Sequence, residues 1–235
     1  GFIAAASVDR CGTWPSREPQ VTMLARGQGP LQVGAAKVDF ALPFPLIVGG
    51  YGPPRPDVDG ATLPLSARAL VLDVGNQRLA LVSLEVLLIS PQLRDAIGAQ
   101  QPFPVWVMAT HTHSGPGAYA PSAAAEYAAL GTFDVKVQTA LADAAREAVK
   151  QATARLAPAK LEVGDLVTEG VTTPRTGKDA DRRLLRLRFD GEAGPLAQLL
   201  VLSAHPTLTP RKPSALHPDW PGVLATTLEA EGGPV

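Results

Sequence analysis

Short, mostly apolar runs recur along the chain and predict β-strands, because a strand that is covered on both faces is apolar at successive positions. Between the second and third runs, Gly75-Asn76-Gln77 is typical of a hairpin turn, so these strands are expected to pair antiparallel. The predicted strands cover residues 34–42, 69–74, 79–84, 105–109, 161–167, 184–189 and 196–202.

Helical periodicity is clearest over residues 133–156, where apolar positions recur at helical spacing and Pro158 lies just beyond the end. Shorter helices are predicted over residues 91–100 and 221–231. Strands alternate loosely with helices, and two neighbouring strand pairs are joined by turns too short for parallel pairing. The predicted fold class is therefore α/β or α+β, with a mixed β-sheet, flanking helices and an active site at the strand ends.

Two segments lack a regular pattern. Residues 1–32 are expected to form an irregular N-terminal lead-in, separate from a domain over residues 33–235. Residues 43–63 are rich in Gly, which permits positive φ, and in Pro, which stiffens the chain. This second segment is expected to be either the rim or lid of a site or a plain surface excursion.

Composition narrows the function and the location of the protein. With 235 residues, 46% hydrophobic content and a formal net charge of −1, the chain is typical of a globular enzyme and offers no electrostatic basis for binding nucleic acid. Cys11 is the single cysteine, which excludes an intramolecular disulfide and a cysteine-based zinc site. The apolar residues 1–7 look like the end of a signal peptide or N-terminal anchor. We therefore expect a secreted or periplasmic protein, with membrane anchoring through that segment as an alternative.

The first candidate for chemistry is a pair of histidines after the predicted strand 105–109. His111 and His113 have i, i+2 spacing, which in an extended chain puts both side chains on one side, about 7 Å apart along the strand. Ser114-Gly115-Pro116-Gly117 then forces a turn poor in side chains, which leaves room for a substrate. The alternative is structural, since two histidines could simply cap a strand through hydrogen bonds.

His205 stands in a similar context, because it follows the predicted strand 196–202 and precedes Pro206. A histidine before a proline is often structural when it occurs alone. Neutral imidazole is, however, the commonest protein donor for zinc. Together with His111, His205 is therefore a candidate zinc ligand.

At these residues the chain resembles the neutral, non-lysosomal ceramidases, which hydrolyse the amide of N-acylsphingosines. The run from His111 to Gly117 is highly specific for that family, and weaker matches occur in the family's order. These lie at residues 33–39, 49–52, 82–85, 187–190, 203–207 and 219–222. The resemblance implies that residues 33–235 are the N-terminal portion of a ceramidase-like catalytic domain, incomplete at its C-terminus.

The resemblance implies a Zn²⁺ cofactor, with His111 as the first zinc ligand and His205 as the second. It makes His113 the histidine that contacts the scissile group and places Arg175 at the position of a substrate-contacting arginine. The implied reaction is cleavage of the amide of ceramide, or a similar N-acyl sphingosine-type lipid, by attack of water on a metal-bound carbonyl. Family members carry two further zinc ligands, a Glu and a Tyr, and a proposed catalytic serine, none of which can be placed here.

The implied partners are a lipid substrate, a membrane surface, and a second polypeptide or missing C-terminal part that completes the site. Two alternatives stay open: a non-catalytic ceramidase-like subunit or lipid-binding homologue, and a metallohydrolase of another acyl substrate. His217 and Asp219 are alternative zinc donors. Ser114 is not expected to be a nucleophile, because neighbouring residues on a strand point apart. Glu85 is expected to orient a ligand, to face solvent or to contact the N-terminus of a helix.

Overall fold

A computed structural model describes residues 27–173, 177 and 181–231. In chain order its strands are β1 (Leu31–Asp39), β2 (Leu46–Ile47), β3 (Asp57–Val58), β4 (Ser66–Val74), β5 (Gln77–Leu84), β6 (Val105–Ala109), β7 (Ala157–Pro158), β8 (Lys160–Val167), β9 (Arg183–Gly191) and β10 (Gly194–Leu202). Its longer helices are α1 (Pro91–Gly98), α2 (Val135–Ala154) and α3 (Asp219–Ala230). A short helical turn, Ala123–Ala125, continues into a π-helical turn, Glu126–Leu130.

The strands form three sheets. A five-stranded sheet has the order β6-β5-β4-β1-β7 and is antiparallel except for the parallel β5–β6 pair. A three-stranded antiparallel sheet has the order β10-β9-β8, and β2 pairs with β3 in a small hairpin. The β4–β5 hairpin turns at Gly75, whose φ of 66° lies in the left-handed region that favours glycine.

Alternation along β1 explains the layers. Ala36 points into the main core, where α2 packs through small residues such as Ala145 and Ala148. Val33 and Ala35 point the other way and pack with Phe189 and other residues of the three-stranded sheet. The described chain therefore has a helix layer, the five-stranded sheet and the three-stranded sheet, in that order. Residues on both faces of the central strands β1 and β4 are buried, which explains their apolar runs, whereas the edge strand β6 exposes Trp106 and Met108.

The sequence-based prediction of a mixed sheet with flanking helices is confirmed. Every predicted strand and helix is present, and the predicted strand 105–109 coincides with β6. Some boundaries are different: β1 begins at Leu31, inside the predicted lead-in. β2, β3, β7 and the helical turns at residues 123–130 were not predicted, since these elements are too short to carry a periodic pattern. Within the described residues, no helix is both long enough and apolar enough to cross a bilayer.

Close packing of β1 on α2 yields a test of this fold. A Cβ added at Gly34 would overlap the carbonyl oxygen of Ala152, whereas a Cβ at Gly164 in β8 would meet open space. We expect Gly34→Ala to lower the free energy of unfolding by about 1–3 kcal/mol through overpacking. The control Gly164→Ala should be neutral or slightly stabilising. Urea denaturation measures both, and equal effects would contradict the described packing.

Candidate metal centre

Three histidines converge at the strand ends. His111 and His113 follow β6, and His205 follows β10; one ring nitrogen from each lies within 4.8 Å of the others. The Nε2 atoms of His111 and His113 are 3.3 Å apart. The ring of His205 lies 5.1 Å from that of His111 and 4.6 Å from that of His113, centroid to centroid. The predicted proximity of the two histidine-bearing strand ends is therefore present.

The path of the chain at His111 differs from the expected extended strand. β6 ends at Ala109, and His111 has a φ of 68°, which is uncommon for a residue with a side chain. The turn brings the two rings much closer than an extended chain would, and they meet edge to face at 4.9 Å. The sequence pattern correctly predicted that the histidines share one side, but the cause is a left-handed turn and not strand geometry.

The segment that follows the parallel neighbour β5 determines where His111 lies. The backbone N–H of His111 donates to the carbonyl of Val86 at 3.0 Å, and Nδ1 of His111 lies 2.7 Å from the carbonyl oxygen of Leu87. A carbonyl only accepts hydrogen bonds, so Nδ1 carries the proton and Nε2 of the neutral ring carries the lone pair. A backbone carbonyl that fixes the tautomer in this way is typical of metal-binding histidines.

Tyr119 holds the segment that contains Leu87 through hydrogen bonds to Leu88. Its hydroxyl donates to the carbonyl of Leu88 at 2.9 Å and accepts from the Leu88 N–H at 3.1 Å. Burial raises the pKa of Tyr119 well above its ordinary value, so the phenol stays protonated and remains a donor. Tyr119 therefore holds the strand exit that carries the carbonyl partner of His111.

The Gly- and Pro-rich segment 43–63 contacts the histidine loop directly. Gly49 donates to the carbonyl of Gly115 at 2.9 Å, and Gly117 donates to Ile47 at 2.8 Å. The ring of Tyr51 lies 4.9 Å from that of His113. Of the two expectations for this segment, the rim of the site is correct and the plain surface excursion is wrong.

Arg211 was missed by sequence reasoning. Its guanidinium lies 5.3 Å from the centroid of the Tyr51 ring, a cation–π geometry, on the side of the site where Tyr51 contacts His113. No motif marks this arginine, because its neighbour in space is distant in sequence. Arg175, the arginine that the resemblance indicates, lies outside the described residues.

Glu85 is buried in an ion cluster. Its carboxylate lies 2.6 Å from Nη1 of Arg68 and accepts from the Ser66 N–H at 2.7 Å. The same carboxylate packs on Gly222, in the first turns of α3. Burial raises the pKa of Glu85, and Arg68 opposes that rise. The helix-contact expectation is correct and the solvent-facing one is wrong; none of the described hydrogen bonds of Glu85 reaches a histidine.

Arg68 continues this cluster to α3. It donates from Nε to Glu229 at 2.6 Å. Burial acts to raise the pKa of Glu229, but the hydrogen bonds and charges of Arg68 and Lys37 together outweigh it, and the pKa falls. An apolar cavity of about 190 Å³ lies beside these residues, between the two larger sheets and α3. None of the three histidines lines that cavity, so it is separate from the histidine group.

The alternative donors His217 and Asp219 stand outside the histidine group. Nδ1 of His217 accepts the backbone N–H of Asp219 at 2.9 Å, so this nitrogen is already occupied. The Asp219 carboxylate accepts hydrogen bonds from backbone and hydroxyl groups of residues 208–220. Ser114 is buried and its hydroxyl contacts that of Thr209, in agreement with the expectation that it is not a nucleophile.

The histidine group fits a zinc ion by its donors and spacing. Zinc takes imidazole nitrogen at about 2.0–2.1 Å, so two ligand atoms of a tetrahedral site stand about 3.3 Å apart. The 3.3 Å between the Nε2 atoms of His111 and His113 agrees with that separation. His111 also presents the required unprotonated nitrogen. If all three imidazoles bind, a fourth position stays open for water or substrate, as in catalytic zinc sites; if His113 contacts the substrate instead, two positions stay open.

Gly50 allows the rim to approach the histidines, and this yields a test. Its φ is 135°, and an added Cβ would lie 2.6 Å from Cα of His113. Gly194 has a similar φ of 129° but open space around it. We expect both alanine variants to bear backbone strain of about 1–3 kcal/mol, with Gly50→Ala losing more stability because only it collides. The imidazole NMR signals of His113 should shift in Gly50→Ala alone; unchanged signals would contradict the described contact.

Comparison with known proteins places this site in a family. Residues 31–231 match the model for the neutral/alkaline non-lysosomal ceramidase, N-terminal. Two solved structures share the fold: neutral ceramidase from Pseudomonas aeruginosa, with 21% identity and a TM-score of 0.75, and a ceramidase complexed with C2, with 23% identity and a TM-score of 0.76. Each alignment covers 87% of this chain and 36% of the other, so the chain spans about a third of their length.

No curated protein matches the chain. The family model nevertheless covers most of the sequence, including β1, β6 and all three histidines of the group. The two structural similarities agree with that match in fold. The chain therefore belongs to the neutral/alkaline non-lysosomal ceramidase family.

Proposed function

We propose that this protein is a zinc-dependent amidohydrolase that cleaves the amide bond of an N-acyl sphingosine-type lipid, ceramide or a close relative. The observation that carries the proposal is the convergence of His111, His113 and His205. Membership of the ceramidase family supports the choice of an amide-bearing lipid as substrate. The hydrogen bond between His111 and Leu87 supports a metal-binding role over simple capping of the strand, because it directs a lone pair towards the other two rings.

In this proposal, His111 and His205 hold the zinc ion through ring nitrogens. When bound, zinc supplies Lewis acidity that polarises a carbonyl and lowers the pKa of water. His113 lies between the metal-binding rings and Tyr51, where its ring can donate a hydrogen bond to the scissile group. We propose the same substrate contact for Arg175. The close approach of His113 to His111 makes a third-ligand role its alternative, and the experiment below separates the two roles.

The surroundings of the histidines suit a lipid. Leu208, three residues after His205, is 79% exposed, and Phe44 of the rim segment is 39% exposed. Tyr127, which is 77% exposed, belongs to a turn whose backbone accepts a hydrogen bond from Arg55 of the rim. These exposed apolar side chains lie on segments that carry or contact the histidine-bearing loops, and we propose that they meet the apolar part of the substrate. They support a substrate delivered from a membrane or a micelle.

The first test is zinc binding by the 235-residue chain. We expect one zinc per chain after dialysis, measured by elemental analysis. His111→Ala and His205→Ala should each weaken binding by more than the roughly 10–100-fold that loss of an outer hydrogen-bond partner costs. His113→Ala should weaken it much less if His113 contacts substrate, and as much as the others if it is a third ligand. His217→Asn is the control, since an amide oxygen can replace Nδ1 as the acceptor for Asp219.

Hydrolysis is tested on the zinc-loaded chain with an N-acylsphingosine in detergent micelles, by measuring release of the fatty acid. The proposal expects release that His111→Ala abolishes and His217→Asn retains. Zinc binding without hydrolysis would favour the non-catalytic ceramidase-like subunit, or a site completed by a further polypeptide. Hydrolysis that survives His111→Ala would contradict the assignment of the site. Release from other acyl substrates, with none from N-acylsphingosine, would favour a different metallohydrolase.

A further inference from the structure

Asp219 is a buried residue whose carboxylate accepts hydrogen bonds from the segment after His205. It is 1% exposed and has a φ of 57°. Its Oδ2 accepts from the N–H of Leu208 at 3.0 Å, the N–H of Thr209 at 3.1 Å and the hydroxyl of Thr209 at 2.9 Å. Its Oδ1 accepts from the N–H of Trp220 at 2.7 Å. The carboxylate thus ties the loop that carries His205 to the start of α3.

The same network continues to the loop that carries His111 and His113. The hydroxyl oxygens of Thr209 and Ser114 are 2.5 Å apart. The carboxylate of Asp219 accepts the only hydroxyl proton of Thr209, so Ser114 must donate to Thr209. The hydrogen bonds therefore run in one direction, from Ser114 to Thr209 to Asp219.

Backbone contacts reinforce this connection. The N–H of His217 donates to the carbonyl of Ser114 at 2.8 Å, and the hydroxyl of Thr112 donates to the carbonyl of His217 at 2.9 Å. Ser114 and Thr112 are both completely buried. Residues 217–219 therefore bridge the two histidine-bearing loops, which are joined to different sheets through β6 and β10.

We propose that Asp219 is a positioning residue, which acts through Thr209 and Ser114 to hold His205 at metal-binding distance from His111 and His113. We call Ser114, Thr209 and Asp219 the carboxylate clasp. The inference rests on the proposed metal site and goes beyond it, because it assigns a role to three residues that bind neither metal nor substrate. It also explains why the hydroxyl of Ser114, next to His113, is buried and donates to Thr209. That hydroxyl is therefore not available as a nucleophile.

The clasp matters because the His205 loop lies outside the sheets. β10 ends at Leu202, and the described backbone hydrogen bonds of residues 204–207 are local. His205 lies beyond the last strand residue, so its distance from the loop after β6 depends on direct links between the two loops. Partners that hydrogen-bond directly to metal ligands typically contribute 10–100-fold to metal affinity, and the clasp acts one contact farther out.

The test compares Thr209→Val with Thr209→Ser. Valine keeps the shape of threonine but lacks the hydroxyl, and serine restores the hydroxyl. Asp219→Asn is the second variant. Both carboxylate oxygens of Asp219 accept hydrogen bonds, so the amide N–H₂ of asparagine would replace one acceptor by a donor and break the bonds on that side. Thr227→Val is the matched control: it removes a threonine hydroxyl that donates to the carbonyl of Val223 on the exposed face of α3. Urea denaturation first establishes that each variant folds.

Two readouts are used on the folded chains. Titration with Co²⁺ gives a dissociation constant and a visible spectrum that reports the coordination geometry. The expected result for Thr209→Val and Asp219→Asn is an altered spectrum and a dissociation constant about 10-fold higher, the lower end of the range for direct partners of metal ligands. Thr209→Ser and Thr227→Val should keep the parent values. Parent-like affinity and spectrum in folded Thr209→Val would overturn the proposal.

The second readout needs no metal and separates failure of the clasp from failure of the metal site. Long-range ¹H–¹⁵N spectra of the metal-free chain report the ring nitrogens of each histidine. The clasp predicts shifted signals for His205 and His111 in Thr209→Val and parent signals in Thr209→Ser. If the parent chain binds no Co²⁺ or Zn²⁺, the proposed metal site fails, and these spectra alone decide the clasp. Unchanged signals in Thr209→Val would then overturn it.

Discussion

The parallel pairing of β5 with β6 is the constraint on which the rest of the site depends. Because the two strands run in the same direction, the segments that follow them leave the sheet at the same end and lie side by side. The exit of β5 offers its carbonyls to the exit of β6, and His111 uses one for its backbone and one for its ring. In an antiparallel β6, the histidines that follow the strand would lie at the opposite end of the sheet. The position and the tautomer of His111 therefore follow from strand direction.

Crowding around this edge explains the unusual backbone of the site. In the described part of the chain, the residues other than glycine with positive φ are His111, Ala118 and Asp219. Two of them belong to the histidine group or to the carboxylate clasp, and Ala118 follows the histidine loop. Such conformations each cost about 1–3 kcal/mol and persist when surrounding contacts hold them in place. For His111 and Asp219 these contacts are hydrogen bonds to neighbouring strand ends and loops. The same hydrogen bonds therefore hold the strained backbone and fix the positions of the two residues.

The regular elements were predictable from sequence because their signals are local. Apolar runs and helical spacing identify β1, β5, β6 and α2, and the His-Thr-His run identifies the first half of the histidine group. Contacts between distant residues were not predictable: the positive φ of His111, the rim position of residues 43–63 and the burial of Glu85 all depend on tertiary packing. Asp219 looked like a metal donor from its residue type, and only its neighbours reveal that its oxygens are occupied. Export of the protein, a second polypeptide and the role of Arg175 stay predictions.

The central claim is that His111 and His205 hold a zinc ion with His113 beside them, and X-ray absorption at the zinc edge tests it most directly on the zinc-loaded chain. The account predicts nitrogen and oxygen neighbours at about 2.0–2.1 Å, with the outer-shell scattering that imidazole rings produce. A sulfur neighbour at about 2.3 Å would show that Cys11, the single cysteine, captures the metal elsewhere. Zinc bound without imidazole scattering would equally contradict the account.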